Sequence, residues 1–207
     1  MWRDRKEAGR ALADELERRG YAGRSDVTVL GVPRGGVAVA VEVAHRLRAP
    51  LDVVIVRKVG APGNPEFAAG AVDLDGRVYP NHEAPVSEAW LREAAVPEHT
   101  EALRRLDAYR GDRPALSVVG RVAIVVDDGI ATGLTALAAL SWLRGRGASR
   151  TVLAAPVMAP DTFSRLKDAS DEIVALETPP GFYAVGARYA DFPQLTDSEV
   201  TALLTKG

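Results

Sequence analysis

Cysteine is absent from this 207-residue chain. That excludes disulfides and any zinc site built on thiolates. Histidine is scarce: His45, His82 and His99 are the only three. None falls in a recognisable motif, so each reads as a surface or helix residue rather than a base. Lysine is scarce too, with four among 26 basic residues, leaving 22 arginines; no function is drawn from that bias. No apolar run approaches the roughly 18 residues of a membrane span. The opening "MWRDRKEAGR" is too charged for a secretory leader, so a soluble, cytoplasmic protein is expected. Neither charge sign dominates: the net charge is −2 and the pI about 6.0. The bulk attraction that draws proteins to nucleic acid or anionic membrane is therefore missing. A small anionic ligand is still allowed, because local amides and arginines can hold phosphate on an acidic protein.

What the chain does have is apolar substance, 47% of its residues, enough to bury a full core. Its length suits one domain, 1–207, with a core at about 25–157 and a smaller hood from about 176–207, to which the N-terminal helix can belong. Residues 3–19 put Ala8, Leu12 and Leu16 at helical spacing before Gly20. "DVTVL" (26–30) reads as a buried strand, and 35–47 as a helix able to supply a crossover. Residues 51–60 read as a second strand. Residues 61–70, rich in Pro and Gly, read as loop, and 71–79 as a hairpin turning at Asp75-Gly76. A long helix is expected over 86–110, kinked at Pro97. Further strands are expected at 122–126, 151–157 and 172–176, with helices at 132–144 and 196–205. Apolar strands alternating with helices imply an α/β fold: a mainly parallel sheet of about five strands with helices on both faces. In such sheets ligands bind beyond the carboxyl ends of the strands. That directs attention to 31–36, 57–70, 127–135 and 156–160.

The segment "VAIVVDDGIATGLT" (122–135) answers to that rule. A strand delivers Asp127 and Asp128 to the ligand edge. "GIATG" then turns the chain into a helix, whose unpaired amides and positive dipole end favour an anion. Gly129 and Gly133 let backbone approach a phosphate, and Thr132 and Thr135 offer hydroxyls. No Lys follows the second glycine as in a Walker A loop, and GxGxxG is absent. Carboxylates repel phosphate, so the aspartates should face sugar hydroxyls or a magnesium ion. The implied ligand is a sugar phosphate.

"VVDDGIATGLT" resembles the phosphoribosyl diphosphate (PRPP) motif of type I phosphoribosyltransferases. The resemblance implies that Asp127 and Asp128 hold the ribose hydroxyls, directly or near Mg2+, and that Gly129, Ile130, Ala131, Thr132, Gly133 and Thr135 hold the 5-phosphate. "GVPRGG" (31–36) is similar to the family's pyrophosphate loop, which implies donor contacts from Arg34, Gly35 and Gly36 and a cis peptide at Pro33–Arg34. "VRKVGAPGNPEFAAGAV" (56–72) resembles the start of the mobile catalytic loop of adenine-type enzymes. Arg57 and Lys58 would then neutralise departing pyrophosphate, with Glu66 at the ribose edge or the loop hinge. "PPGFYAVGARYADF" (179–192) resembles the segment covering the base in 6-oxopurine enzymes. Phe182 or Tyr183 would stack on the acceptor, and Asp191 would touch a second magnesium; core packing of these aromatics is the alternative. Ala131 stands where 6-oxopurine enzymes carry an Asp base, which argues against hypoxanthine, guanine or xanthine. The implied activity is transfer of ribose 5-phosphate from PRPP to a nitrogenous base, with Mg2+ as cofactor and a homodimer as assembly. A PRPP-binding regulator without transferase activity stays open.

Overall fold

Strands that are apolar at every position must be covered on both faces, and the chain meets that demand. The computed structural model describes residues 1–206, without the side chains of Glu66 and Lys206. In chain order the elements are α1 (Arg5–Arg18), β1 (Val27–Gly31), α2 (Gly35–Leu47), β2 (Leu51–Val53), β3 (Arg57–Ala61), β4 (Asn64–Val72) and β5 (Val78–Pro80). There follow α3 (Glu88–Arg110), β6 (Val122–Val126), α4 (Leu134–Gly145), β7 (Arg150–Val157), α5 (Pro160–Leu166), β8 (Glu172–Glu177), a 3-10 turn at Val185–Arg188, and α6 (Asp197–Lys206).

The main sheet has five strands in the order β2-β1-β6-β7-β8, every pair parallel. This is the expected α/β architecture. Successive residues on each strand face opposite sides. Val27, Val29, Ile124, Val126, Val152 and Ala154 thus join one core with residues of α1, α2 and α6. Leu30, Ala123, Val125, Leu153 and Ala155 join a second with Ala138, Ala139, Leu140 and Leu143 of α4. A Leu-to-Ala change at a fully buried site such as Leu140 typically costs about 2–5 kcal/mol.

The strand order reverses direction between β1 and β6. Their following loops leave the sheet toward opposite faces, and a crevice opens between them at the carboxyl ends. The fold therefore sets residues 32–35 and 127–133 side by side.

Residues 51–60 are not one strand. The chain leaves the main sheet after Val53, runs through buried Val54, Ile55 and Val56, and starts a second, antiparallel sheet of order β3-β4-β5. Residues 61–70 are likewise not a plain loop: β3 and β4 form a hairpin around Gly63 (φ 73°). Proline is tolerated there because the ladder slips between Val59 and Ala61, so Pro65 owes it no N–H. Gly60 makes room, since a Cβ on it would stand 2.8 Å from the Pro65 backbone. The expected hairpin at 71–79 is present, with Val72 paired to Val78 and Gly76 at φ 77° in the turn. Helix α3 runs unbroken through Pro97 and covers this sheet through Leu91 and Ala95, packed with Val59, Ala69 and Val72. No helix among the described residues is long and apolar enough to cross a membrane.

Candidate functional site

A cavity of about 460 Å³ lies at the crevice between the ends of β1 and β6. Asp127 and Asp128, Gly129 to Gly133 and Thr135 line it, with Arg34 and Gly35 after β1 and Lys58 on β3. Arg5, Val185, Phe192, Gln194 and Leu195 close it from the side. A larger groove of about 850 Å³ runs between α1 and α2, but none of the strand-end residues lines it. Two of its arginines are already spent on ion pairs, Arg10 with Glu42 and Arg46 with Asp14.

The carboxylates sit as the strand delivers them. Asp127 Oδ1 accepts the amide of Asp128 at 2.8 Å, and Asp128 Oδ2 accepts Arg5 Nε at 2.7 Å. Burial, then the charge of its neighbour, holds the Asp127 carboxyl well above the usual carboxylate range. Burial also raises Asp128, against the opposing pull of Arg5. Two such groups gain from any ligand that donates hydrogen bonds or brings a cation.

The anion end is equally defined. Gly133 (φ 76°) caps the start of α4 without a side-chain hydrogen bond, so the first helical amides are free for a ligand. Neither Thr132 nor Thr135 has a side-chain hydrogen bond among the described residues. Ile130 differs from its neighbours: its amide already donates to Val157 O at 2.9 Å and its side chain is buried in the second core. It shapes the turn but has no amide to offer. The turn is pinned from below by buried Thr162, whose hydroxyl donates to Ala131 O. Nothing local marks that contact, because α5 is only 7 residues long.

The loop after β1 is drawn tight against this turn. The Pro33–Arg34 peptide is cis. A Cβ on Gly36 would stand 2.7 Å from Val126 O, so only glycine lets α2 begin here. Gly36 itself is buried behind the cavity. The Arg34 side chain makes no hydrogen bond or ion pair among the described residues, and Arg34 lines the cavity. Gly129 faces the hood, where a Cβ would stand 2.4 Å from Val185 Cγ1.

Arg57 and Lys58 part company. Neighbours on a strand point to opposite sides, so Lys58 lines the cavity while Arg57 shares the face of Val59 toward α3. There it forms a two-pronged pair with Glu98, at 2.9 and 2.7 Å. Phe182 and Tyr183 do not line the cavity, and Tyr183 is 84% exposed. The aromatic at the site is Phe192, stacked on Tyr189 with centroids 4.8 Å apart. Asp191 is exposed and lines a separate, apolar hollow. The role expected of the Glu66 side chain lies outside the described residues. No histidine lines the cavity; His99 Nε2 instead meets Leu74 O at 3.1 Å.

Among the described residues no three His, Asp or Glu side chains converge on a metal position. Two adjacent carboxylates fit Mg2+ only as part of a shell completed by substrate oxygens and water, which is how that ion usually binds.

Comparison with known proteins fits this geometry. A family model described as a phosphoribosyl transferase domain matches residues 2–178. Proteins of two Mycobacterium tuberculosis strains, both named as phosphoribosyl transferases, are 44% identical over 211 residues and cover 100% of this chain. The match takes in 47% of their own length, so the chain spans about half of the curated relatives it matches. The crystal structure of TT1426 from Thermus thermophilus is 46% identical, with a TM-score of 0.83 over 99% of this chain and 98% of that one. A Neisseria gonorrhoeae protein solved with bound ppGpp shares the fold alone, at 13% identity and a TM-score of 0.51 over 100% of this chain and 96% of that one.

Proposed function

Since the chain belongs to the phosphoribosyl transferase domain family, we propose that it binds PRPP in the 460 Å³ cavity and transfers ribose 5-phosphate to a nitrogen nucleophile. One observation carries this: two carboxylates and an uncapped helix start open on the same cavity. Donor hydroxyls suit the first and a terminal phosphate the second.

In the proposed reaction the bond from C1 to the pyrophosphate oxygen breaks, the C1–N bond forms, and the nitrogen's proton leaves to solvent. Bond breaking leads, so positive charge grows on C1 and negative charge on the leaving group. Arg34 and Lys58, whose side chains have no partner among the described residues, answer the negative charge. Asp127 and the free oxygen of Asp128 accept from the ribose hydroxyls and hold the ring. The amides of 131–135 and the hydroxyls of Thr132 and Thr135 hold the 5-phosphate. Mg2+, held by Asp127 and Asp128 with donor oxygens, would supply charge neutralisation to the diphosphate. Alignment of donor and acceptor alone is worth an effective molarity of about 10⁵–10⁸ M. The hood of 185–195 supplies the acceptor side, with Phe192, Val185, Gln194 and Leu195 as its wall.

Isothermal titration with PRPP and Mg2+, followed by a screen of free bases for pyrophosphate release, tests this. Binding and release with one base are expected. Binding with no release from any base would turn the assignment to a PRPP-responsive regulator. No binding would end it.

A further inference from the structure

Arg5, at the start of α1, reaches across the molecule to the carboxylate pair. Its Nε donates to Asp128 Oδ2 at 2.7 Å and its Nη1 to Pro193 O at 2.8 Å. Its guanidinium lies 3.7 Å from the Phe192 ring centroid. Phe192 stacks on Tyr189, and the Tyr189 hydroxyl donates to the carbonyl of Asp128. Both ends of the chain thus grip one aspartate, at its side chain and at its backbone. The ion pair is nearly dry, with 11% of the Arg5 side chain and 14% of the Asp128 side chain exposed. Charge-assisted bonds are strongest in such surroundings.

We propose that Arg5 is a positioning residue of the donor site, an inference that rests on the PRPP assignment above. By occupying Oδ2 it fixes the Asp128 carboxylate and leaves Oδ1 to the sugar. Arg5 is not a plug awaiting displacement. Asp128, the Pro193 carbonyl and the Phe192 face each hold it, and Asp128 Oδ1 accepts no N–H or hydroxyl among the described residues.

Calorimetric titration with PRPP and Mg2+, and separately with inorganic phosphate, tests this on the wild type, Arg5→Ala, Arg5→Lys, Asp128→Asn and the Arg5→Ala/Asp128→Asn double variant. Arg5→Ala should weaken PRPP about tenfold or more, the scale of one lost charge-assisted bond, with inorganic phosphate little changed. The effect should largely vanish in the Asp128→Asn background, because Arg5 acts through that carboxylate. Arg5→Lys should recover part of it, since a lysine restores the charge but not the planar fork. Wild-type affinity in Arg5→Ala would overturn the inference. So would tighter binding, the mark of an inhibitory latch, or an equal loss in the Asp128→Asn background, the mark of general damage. A wild type that ignores PRPP would overturn the donor assignment itself.

Discussion

Gly35 lies so close to Asp128 that a Cβ built on it would stand 1.8 Å from Oδ2 and 2.9 Å from Arg5 Nε. The loop after β1 and the loop after β6 therefore touch through a hydrogen atom. Gly35→Ala must push the carboxylate or the loop aside. PRPP affinity should fall by at least about tenfold, the equivalent of roughly 1.4 kcal/mol. A PRPP titration reads this, with a thermal melt to show that the fold survives.

Lys58 and Arg57, adjacent in sequence, should behave differently when removed. Lys58→Ala should depress the rate constant for transfer far more than PRPP affinity, since it meets charge that develops on the leaving group. Arg57→Ala breaks a partly buried pair with Glu98, for which about 1 kcal/mol of stability is expected. Its kinetics should change little. Pyrophosphate release, measured with saturating and with limiting PRPP, separates the two; equal rate losses would reject the division.

Thr162→Val keeps the side-chain shape and removes the hydroxyl bonded to Ala131 O. The anion turn loses its support while the methyl contact to Gly133 is kept. A stability loss of about 1 kcal/mol is expected, with inorganic phosphate binding several-fold weaker. Unchanged phosphate affinity would show that the turn holds its shape unaided.

Acid should weaken α3 itself, because Glu101, Arg104 and Arg105 pair along that one helix. Hydrogen bonds from Arg104 and Arg105 lower the Glu101 carboxyl from 4.5 to about 2. The folded value lies below the unfolded one, so the stabilisation is present above pH 4.5 and is lost as pH falls toward 2. Wild type should therefore melt above Glu101→Gln at neutral pH, and the gap should close through that window. A gap independent of pH would assign the difference to packing.

Much of this was legible in the chain because local pattern and tertiary role coincided. The all-apolar run 122–126 could only be a doubly covered strand, and DDG followed by ATG could only sit at its carboxyl end. What was not legible depended on partners distant in sequence. Arg57 looked equivalent to Lys58 until the segment became a strand with Glu98 behind one face. Phe192, not Phe182 or Tyr183, reached the site because Tyr189 and Arg5 stack on it. Arg5 was one arginine among 22, and nothing local marked it; its meaning comes from a contact 123 residues away. Residues 61–70 hid a hairpin because Pro62, Gly63 and Pro65 read as breakers, whereas a turn at Gly63 and a slipped ladder accommodate them.

The claim that one phosphorylated pentose spans the carboxylate pair and the α4 start is tested most directly with ribose 5-phosphate and inorganic phosphate as paired ligands. Calorimetry on the wild type should show ribose 5-phosphate bound more tightly than phosphate. Asp127→Asn should erase that preference and leave phosphate affinity intact. If the variant keeps the preference, or if the wild type never had one, the carboxylates do not read the sugar and the proposed donor site is contradicted.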